Sequence, residues 1–126
     1  MSYATTNPYT GEVVKTFPDA TDAEIMKAIE DADKAFSSWK ETSFATRANV
    51  MQKAADLLRK DIAGYAKLLT LEMGKITAEA EAEVELSAAI LEYYAKNAES
   101  LLASEKLPVA DPAEGDAVIV NDPLGV

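Results

Sequence analysis

Thr77-Ala78-Glu79-Ala80-Glu81-Ala82-Glu83-Val84-Glu85-Leu86-Ser87-Ala88-Ala89-Ile90-Leu91-Glu92-Tyr93-Tyr94-Ala95-Lys96-Asn97-Ala98-Glu99-Ser100-Leu101-Leu102-Ala103 contains no Gly and no Pro, and Ala, Glu and Leu dominate it. Propensity and length both predict one long helix. At about 100° per residue, Val84, Ala88, Leu91, Ala95, Ala98 and Leu102 form one apolar stripe, while Leu86, Ile90 and Tyr93 form a second on nearly the opposite side. A helix apolar on two opposed sides is sandwiched between neighbours. It would be ~39 Å long, whereas a compact chain of 126 residues has a radius of gyration of only ~14 Å. Part of its packing surface is therefore expected to belong to protein outside this chain.

Working back from Thr77, Gly74 stands where a preceding helix from about Ile62 to Met73 should stop. Its apolar residues, Ile62, Tyr65, Ala66, Leu68, Leu69, Leu71 and Met73, wrap more of the circumference than a one-sided helix needs. Ser43 can cap a helix before it, with an inner face of Val50, Met51, Ala54, Leu57 and Leu58, and with Arg47, Gln52, Lys53, Asp56, Arg59 and Lys60 on other faces. Thr21 and Glu24 form a capping box ahead of a first helix, in which Ile25, Ala28, Ile29, Ala32, Phe36 and Trp39 recur at helical spacing. Upstream, the Thr5–Glu12 stretch places Asn, Pro and Gly between β-prone runs, the second being Val13–Phe17, and predicts strand, turn, strand.

Past the long helix, Leu107-Pro108-Val109 and Ala117–Asn121 flank an Asp111–Asp116 turn and predict a second hairpin. Asp122-Pro123-Leu124-Gly125-Val126 then ends on an apolar residue, as a further strand would begin. The local reading is thus a mostly helical chain with a β-hairpin near each end.

Composition narrows the chemistry. Lys+Arg 12 against Asp+Glu 22 gives a net charge of -10, which opposes binding to nucleic acid or to an anionic bilayer. With Cys 0 and His 0, no Ser-His-Asp or Cys-His pair, disulfide, thiolate redox motif or imidazole metal site is available. Lys, Tyr and the carboxylates are the remaining candidate groups. The opening residues carry neither a basic region nor an apolar signal core, no apolar run is long enough to span a bilayer, and a cytoplasmic chain is expected.

Glu79, Glu81, Glu83 and Glu85 fall into i,i+4 pairs on the long helix and could serve as oxygen ligands for Ca²⁺ or Mg²⁺. The plainer reading is a solvated first turn whose charge suits the positive end of the helix dipole. The glycines, at 11, 64, 74, 115 and 125, never approach the spacing of a phosphate-cradling loop. Glu72 and Lys75 offer an acid and a cation, but a helix ending in Gly with Lys beyond it is an ordinary stop. Trp39 and the Tyr93-Tyr94 pair fall inside apolar patterns and read as core or interface aromatics.

Taken together, several motifs in this order and spacing resemble the opening portion of an aldehyde dehydrogenase. They are Asn7-Pro8-Tyr9-Thr10-Gly11-Glu12, Ala35-Phe36-Ser37-Ser38-Trp39, Arg47 with Ala54, Asp56, Leu57 and Leu58, Thr70-Leu71-Glu72-Met73-Gly74-Lys75, Glu83-Val84-Glu85, Tyr93-Tyr94-Ala95 and Pro123-Leu124-Gly125-Val126. The Glu-Met-Gly-Lys run and the short amino terminus are most similar to the succinate-semialdehyde dehydrogenase branch. The resemblance covers this entire chain and only the opening part of a family member.

The resemblance implies an α/β parent fold in which residues 1–104 form a helical layer on the cofactor domain. Residues 105–122 would belong to the bridging sheet used for oligomerisation, and 123–126 would open the first nucleotide-binding strand. It implies oxidation of an aldehyde, expected to be succinate semialdehyde, with NAD or NADP, by a homo-oligomer. The family's nucleophilic Cys, its base Glu and its dinucleotide glycines have no counterpart here, so no catalytic or cofactor-binding residue carries over, and the chain alone is expected to be inactive and to self-associate. In many members the long helix lines the substrate entrance, which makes Glu83, Leu86 and Ile90 candidate tunnel positions; Glu72 lies near where some members hold a structural cation. No resident metal is expected. The alternative is a self-standing acidic helical module that binds a partner protein through its second apolar stripe.

Overall fold

Short-range signals set the element ends in the computed structural model, which describes residues 3–111, 113 and 115–126. Strands β1 (Tyr3–Thr6) and β2 (Val13–Phe17) pair antiparallel, with a register shift between Thr5 and Thr6. Between them Asn7 Oδ1 accepts from the backbone N–H of Tyr9 at 2.9 Å, and Gly11, at φ +73°, donates to the Asn7 carbonyl at 2.8 Å.

Helix α1 (Asp22–Trp39) starts at the predicted capping box: Thr21 N–H donates to Glu24 Oε2 at 2.8 Å and Glu24 N–H donates to Thr21 Oγ1 at 3.3 Å. The bond from Thr21 N–H, and after it one that Thr21 Oγ1 donates to Glu24 Oε2 at 2.8 Å, hold the Glu24 carboxyl below its ordinary pKa. Ser43 caps α2 (Phe44–Lys60) by accepting from Thr46 N–H at 3.1 Å, and Asp61 caps α3 (Ile62–Met73) by accepting from Gly64 N–H at 3.1 Å. Helix α4 (Thr77–Leu101) follows, two residues shorter at its end than the pattern predicts.

Strands β3 (Glu105–Leu107) and β4 (Ala117–Ile119) close the second hairpin. The sequence places the first of these strands at 107–109, two residues too late. Pro108 has no N–H to give to a ladder, so pairing stops at Leu107. Pro112 and Glu114 of the predicted turn lie outside the described residues.

Helices α2 and α3 both pack on α4, and the core lies in that three-helix contact. Its buried members are small: Ala55 on α2, Ala66 on α3, and Ala80, Val84 and Ala88 on α4. Small side chains let helix axes approach closely, and Leu58, Ile62 and Leu69 pack around the Ala66, Ala80 and Val84 cluster. Of the two predicted stripes on α4 the buried one runs through Val84 and Ala88, whereas Leu86, Ile90 and Tyr93 of the other are 60%, 48% and 52% exposed.

The inner face of α2 is rotated from the predicted one. Val50 and Leu57 are exposed; Arg47 and Arg59 are half-buried instead, beside Ala55. The reason is that an alanine allows the helix contact while the arginine stems lie along it with their heads on polar partners. Helix α1 has no fully buried residue: Ala32 and Phe36 of its apolar stripe are half-buried, while Ile25, Ile29 and Trp39 are exposed.

Gly74 ends α3 in the left-handed region at φ +70°, and a Cβ there would lie 2.9 Å from Cγ of Pro8 on the β1–β2 turn. Gly74→Ala is therefore expected to cost about 1–3 kcal/mol, from left-handed strain plus displacement of Pro8. The urea midpoint should fall accordingly; an unchanged midpoint would show that the turn does not lean on the helix end.

Candidate functional site

Helix α4 carries the carboxylate run and the three tunnel candidates of the sequence reading, Glu72 and Lys75 lying just before it, and its flanks are fastened by ion pairs. On one flank Arg59, from the last turn of α2, reaches two carboxylates two turns apart: its Nε donates to Glu85 Oε1 at 2.9 Å and its Nη2 to Glu92 Oε2 at 3.0 Å. Lys96 Nζ donates to the second oxygen of Glu92 at 2.7 Å. The bonds from Lys96 and then Arg59 hold the Glu92 carboxyl below its ordinary pKa, and those to Glu85 and Glu92 raise that of Arg59. On the other flank Lys75, in the α3–α4 connection, pairs with Glu83.

The predicted carboxylate run thus divides by function in the fold, with Glu83 held by Lys75 and Glu85 by Arg59. Among the described residues no three Asp or Glu side chains gather as a metal site. Glu83 and Glu72 line the same open cleft between α3 and α4, about 280 Å³ in volume, together with Leu58, Tyr65, Leu69 and Val84. Its walls are apolar and its lip is acidic. Leu86 and Ile90 sit one turn apart on the exposed face of α4 and do not line that cleft. The structure therefore brings Leu86 and Ile90 together and sets Glu83 toward the cleft. Tyr93 and Tyr94 meet edge to face, centroids 5.3 Å apart.

Arg59, Lys75 and Glu92 were not recognised from sequence as parts of this arrangement. The available signal was the Glu85/Glu92 spacing of seven residues, which puts two carboxylates on one flank of a helix within reach of a single guanidinium. Replacing Arg59 with Met should lower thermal stability at neutral pH, and the deficit should follow Glu92. A depressed carboxylate contributes stability that is complete above its unfolded pKa, for which 4.5 is the ordinary value, and that is lost as pH falls through the lower folded value. The gap between wild type and Arg59→Met should then close in acid and shrink in ~1 M salt. A gap independent of both would mean that the arginine stem, not its charge, holds the helices.

The family model described as "Aldehyde dehydrogenase family" matches residues 1–126, the whole of the chain. The chain belongs to the aldehyde dehydrogenase family. It is 45% identical over 124 residues to the succinate-semialdehyde dehydrogenase [NADP(+)] of Deinococcus radiodurans, covering 98% of this chain and 25% of that protein. It is 46% identical over 126 residues to succinate-semialdehyde dehydrogenase [NADP(+)] 1 of Mycobacterium tuberculosis H37Rv, covering 100% of this chain and 28% of that protein. Among solved structures, the succinic semialdehyde dehydrogenase of Streptococcus pyogenes in complex with NADP+ superposes with a TM-score of 0.86 at 34% identity, over 94% of this chain and 26% of that one. The chain thus spans about a quarter of the length of the aldehyde dehydrogenases it matches. The mostly helical fold with two small hairpins is a part of the aldehyde dehydrogenase fold. Among the described residues no helix is long and apolar enough to cross a membrane.

Proposed function

We propose that this chain is the amino-terminal part of a cytoplasmic, homo-oligomeric NAD(P)-dependent dehydrogenase that oxidises succinate semialdehyde to the acid. The observation that carries this reading is the match over 98–100% of the chain, at 44–46% identity, to relatives bearing that enzyme's name. Residues 1–104 would form the helical layer beside the cofactor domain, 105–122 the bridging hairpin, and 123–126 the start of the nucleotide-binding sheet.

NAD or NADP, when bound, supplies the hydride acceptor, and the residues present do not fit it. The glycines at 11, 64, 74, 115 and 125 are scattered over separate turns and one helix, and none belongs to a phosphate cradle. The contribution of this chain is to approach and shape. Leu86 and Ile90 would border the path of the aldehyde along the outer face of α4, with Glu83, fixed by Lys75, at its acidic end. The exposure of Leu86 and Ile90 on a helix anchored through its opposite stripe supports that role. The same exposure would serve a self-standing acidic interaction module, and one experiment separates the two.

In that experiment, this chain replaces the matched amino-terminal segment of the Mycobacterium tuberculosis enzyme, an exchange at 46% identity. The chimera should oxidise succinate semialdehyde with NADP within about ten-fold of the parent, a loss of no more than about 1.4 kcal/mol in the barrier. Ile90→Trp in the chimera should raise KM for the aldehyde with kcat little changed. A chimera that folds and binds NADP but oxidises no aldehyde would overturn the enzyme reading.

A further inference from the structure

Helix α4 carries six glutamates and one lysine, yet the carboxylates that flank its outward apolar residues are not left as bare charges. Glu83 and Glu85 lie three residues and one residue before Leu86, and Glu92 lies two residues after Ile90. Each is paired to a cation: Glu83 to Lys75 from the α3–α4 connection, Glu85 to Arg59 from α2, and Glu92 to both Arg59 and Lys96. Glu79, Glu81 and Glu99, toward the ends of the helix, make no ion pair among the described residues. Lys75 and Arg59 come from outside the helix, so the placement of cancelled charge is set by packing and not by the composition of α4.

The Lys75 and Glu83 side chains are 34% and 43% exposed, and pairs of that kind add little to stability. Their larger consequence is in the field they leave. Within a screening length of ~8 Å at physiological salt, an unpaired carboxylate repels an anion, whereas a paired one presents almost no net charge. Succinate semialdehyde carries a carboxylate at the end away from its aldehyde, so the face holding Leu86 and Ile90 suits it only with the neighbouring glutamates cancelled. Lys75 decides most. Glu83 lines the α3–α4 cleft together with Glu72, and Glu72 makes no ion pair among the described residues. Without Lys75, two uncancelled carboxylates would share one lip.

We propose that Lys75 is a positioning residue that sets the preference for an anionic over an uncharged aldehyde: by holding and cancelling Glu83 it lowers KM for the anion without touching the substrate. This role rests on the reading under Proposed function for the aldehyde and its path along α4. It adds charge to a contribution otherwise made by shape.

The test compares KM for succinate semialdehyde with KM for butanal, an uncharged aldehyde of the same carbon number, in the chimera. Lys75→Met should raise KM for the anion about three- to ten-fold, with its kcat and the KM for butanal little changed. Lys75→Arg should keep the values of the unmodified chimera. The rise should vanish in ~1 M salt, and also in the double variant Lys75→Met with Glu83→Gln, which removes the carboxylate along with its partner. Glu83→Gln alone leaves the lysine unopposed and should move KM for the anion the opposite way, a check that does not need Lys75→Met to fold. A KM for succinate semialdehyde unmoved by both substitutions, or moved equally for the two aldehydes, would overturn the role of Lys75 and leave the enzyme reading standing. An unmodified chimera that folds and binds NADP but turns over neither aldehyde, or butanal alone, would sink that reading and this role with it.

Discussion

Given succinate semialdehyde and either NAD or NADP, the 126-residue chain by itself is expected to form no reduced cofactor, at any pH, above the rate of a protein-free blank. The argument is chemical. Aldehyde oxidation with a nicotinamide needs a nucleophile that converts the carbonyl into a hydride donor, and Cys 0 and His 0 remove the thiolate and the imidazole. A lysine or carboxylate substitute would need a displaced pKa in an enclosed site. Among the described residues, the shifts resolved are those of Glu24, which serves a helix cap, and of Arg59 and Glu92, which serve an ion-pair network between α2 and α4. The α3–α4 cleft holds Glu72 and Glu83 at an open lip, and Glu83 is engaged by Lys75. Stopped or continuous assays of nicotinamide absorbance, with titration calorimetry for NADP, check this directly. Turnover of any aldehyde, or saturable NADP binding, would show that chemistry resides in this part of the fold.

Ala66→Leu should be the most damaging single change to stability. Ala66 of α3 and Ala80 of α4 are both 0% exposed and share a cluster with Val84, surrounded by Leu58, Ile62 and Leu69. Three added carbons at that contact must push α3 off α4, because the space between the helices is already occupied by the methyl groups that set it. Overpacking of this kind costs about 1–3 kcal/mol, roughly 4–12 °C in melting temperature for a domain of this size. Ala78→Leu, on the exposed first turn of α4, should stay within about 0.5 kcal/mol. Equal melting of the two variants would mean that α3 and α4 are held more loosely than their buried alanines indicate.

Most element boundaries were legible because they are set locally. The Thr21–Glu24 box, the Ser43 cap and the left-handed Gly74 each act within three or four residues, and α1 and α2 begin and α3 ends where those signals stand. The tunnel candidates were legible only by resemblance, since nothing in the periodicity of Glu83, Leu86 and Ile90 distinguishes an entrance from an ordinary exposed face. Arg59 was read on an outer face because a charged residue beside Leu57 and Leu58 is normally solvated. Its place between Glu85 and Glu92 depends on residues more than twenty positions away.

The sequence by itself determined the family, the helical content, the two apolar faces of α4 and the absence of thiol and imidazole chemistry. These follow from residue identity and from spacings within a single element. Only the tertiary structure decided which face of α4 is buried, how α2 is rotated against it, and that Ile25 and Ile29 of the α1 stripe are left exposed. The physical reason is that burial belongs to pairs of surfaces. Ala80, Val84 and Ala88 win over Leu86 and Ile90 because Ala55 and Ala66 on the neighbouring helices match them in size and allow close approach, and no periodicity within one helix contains that match.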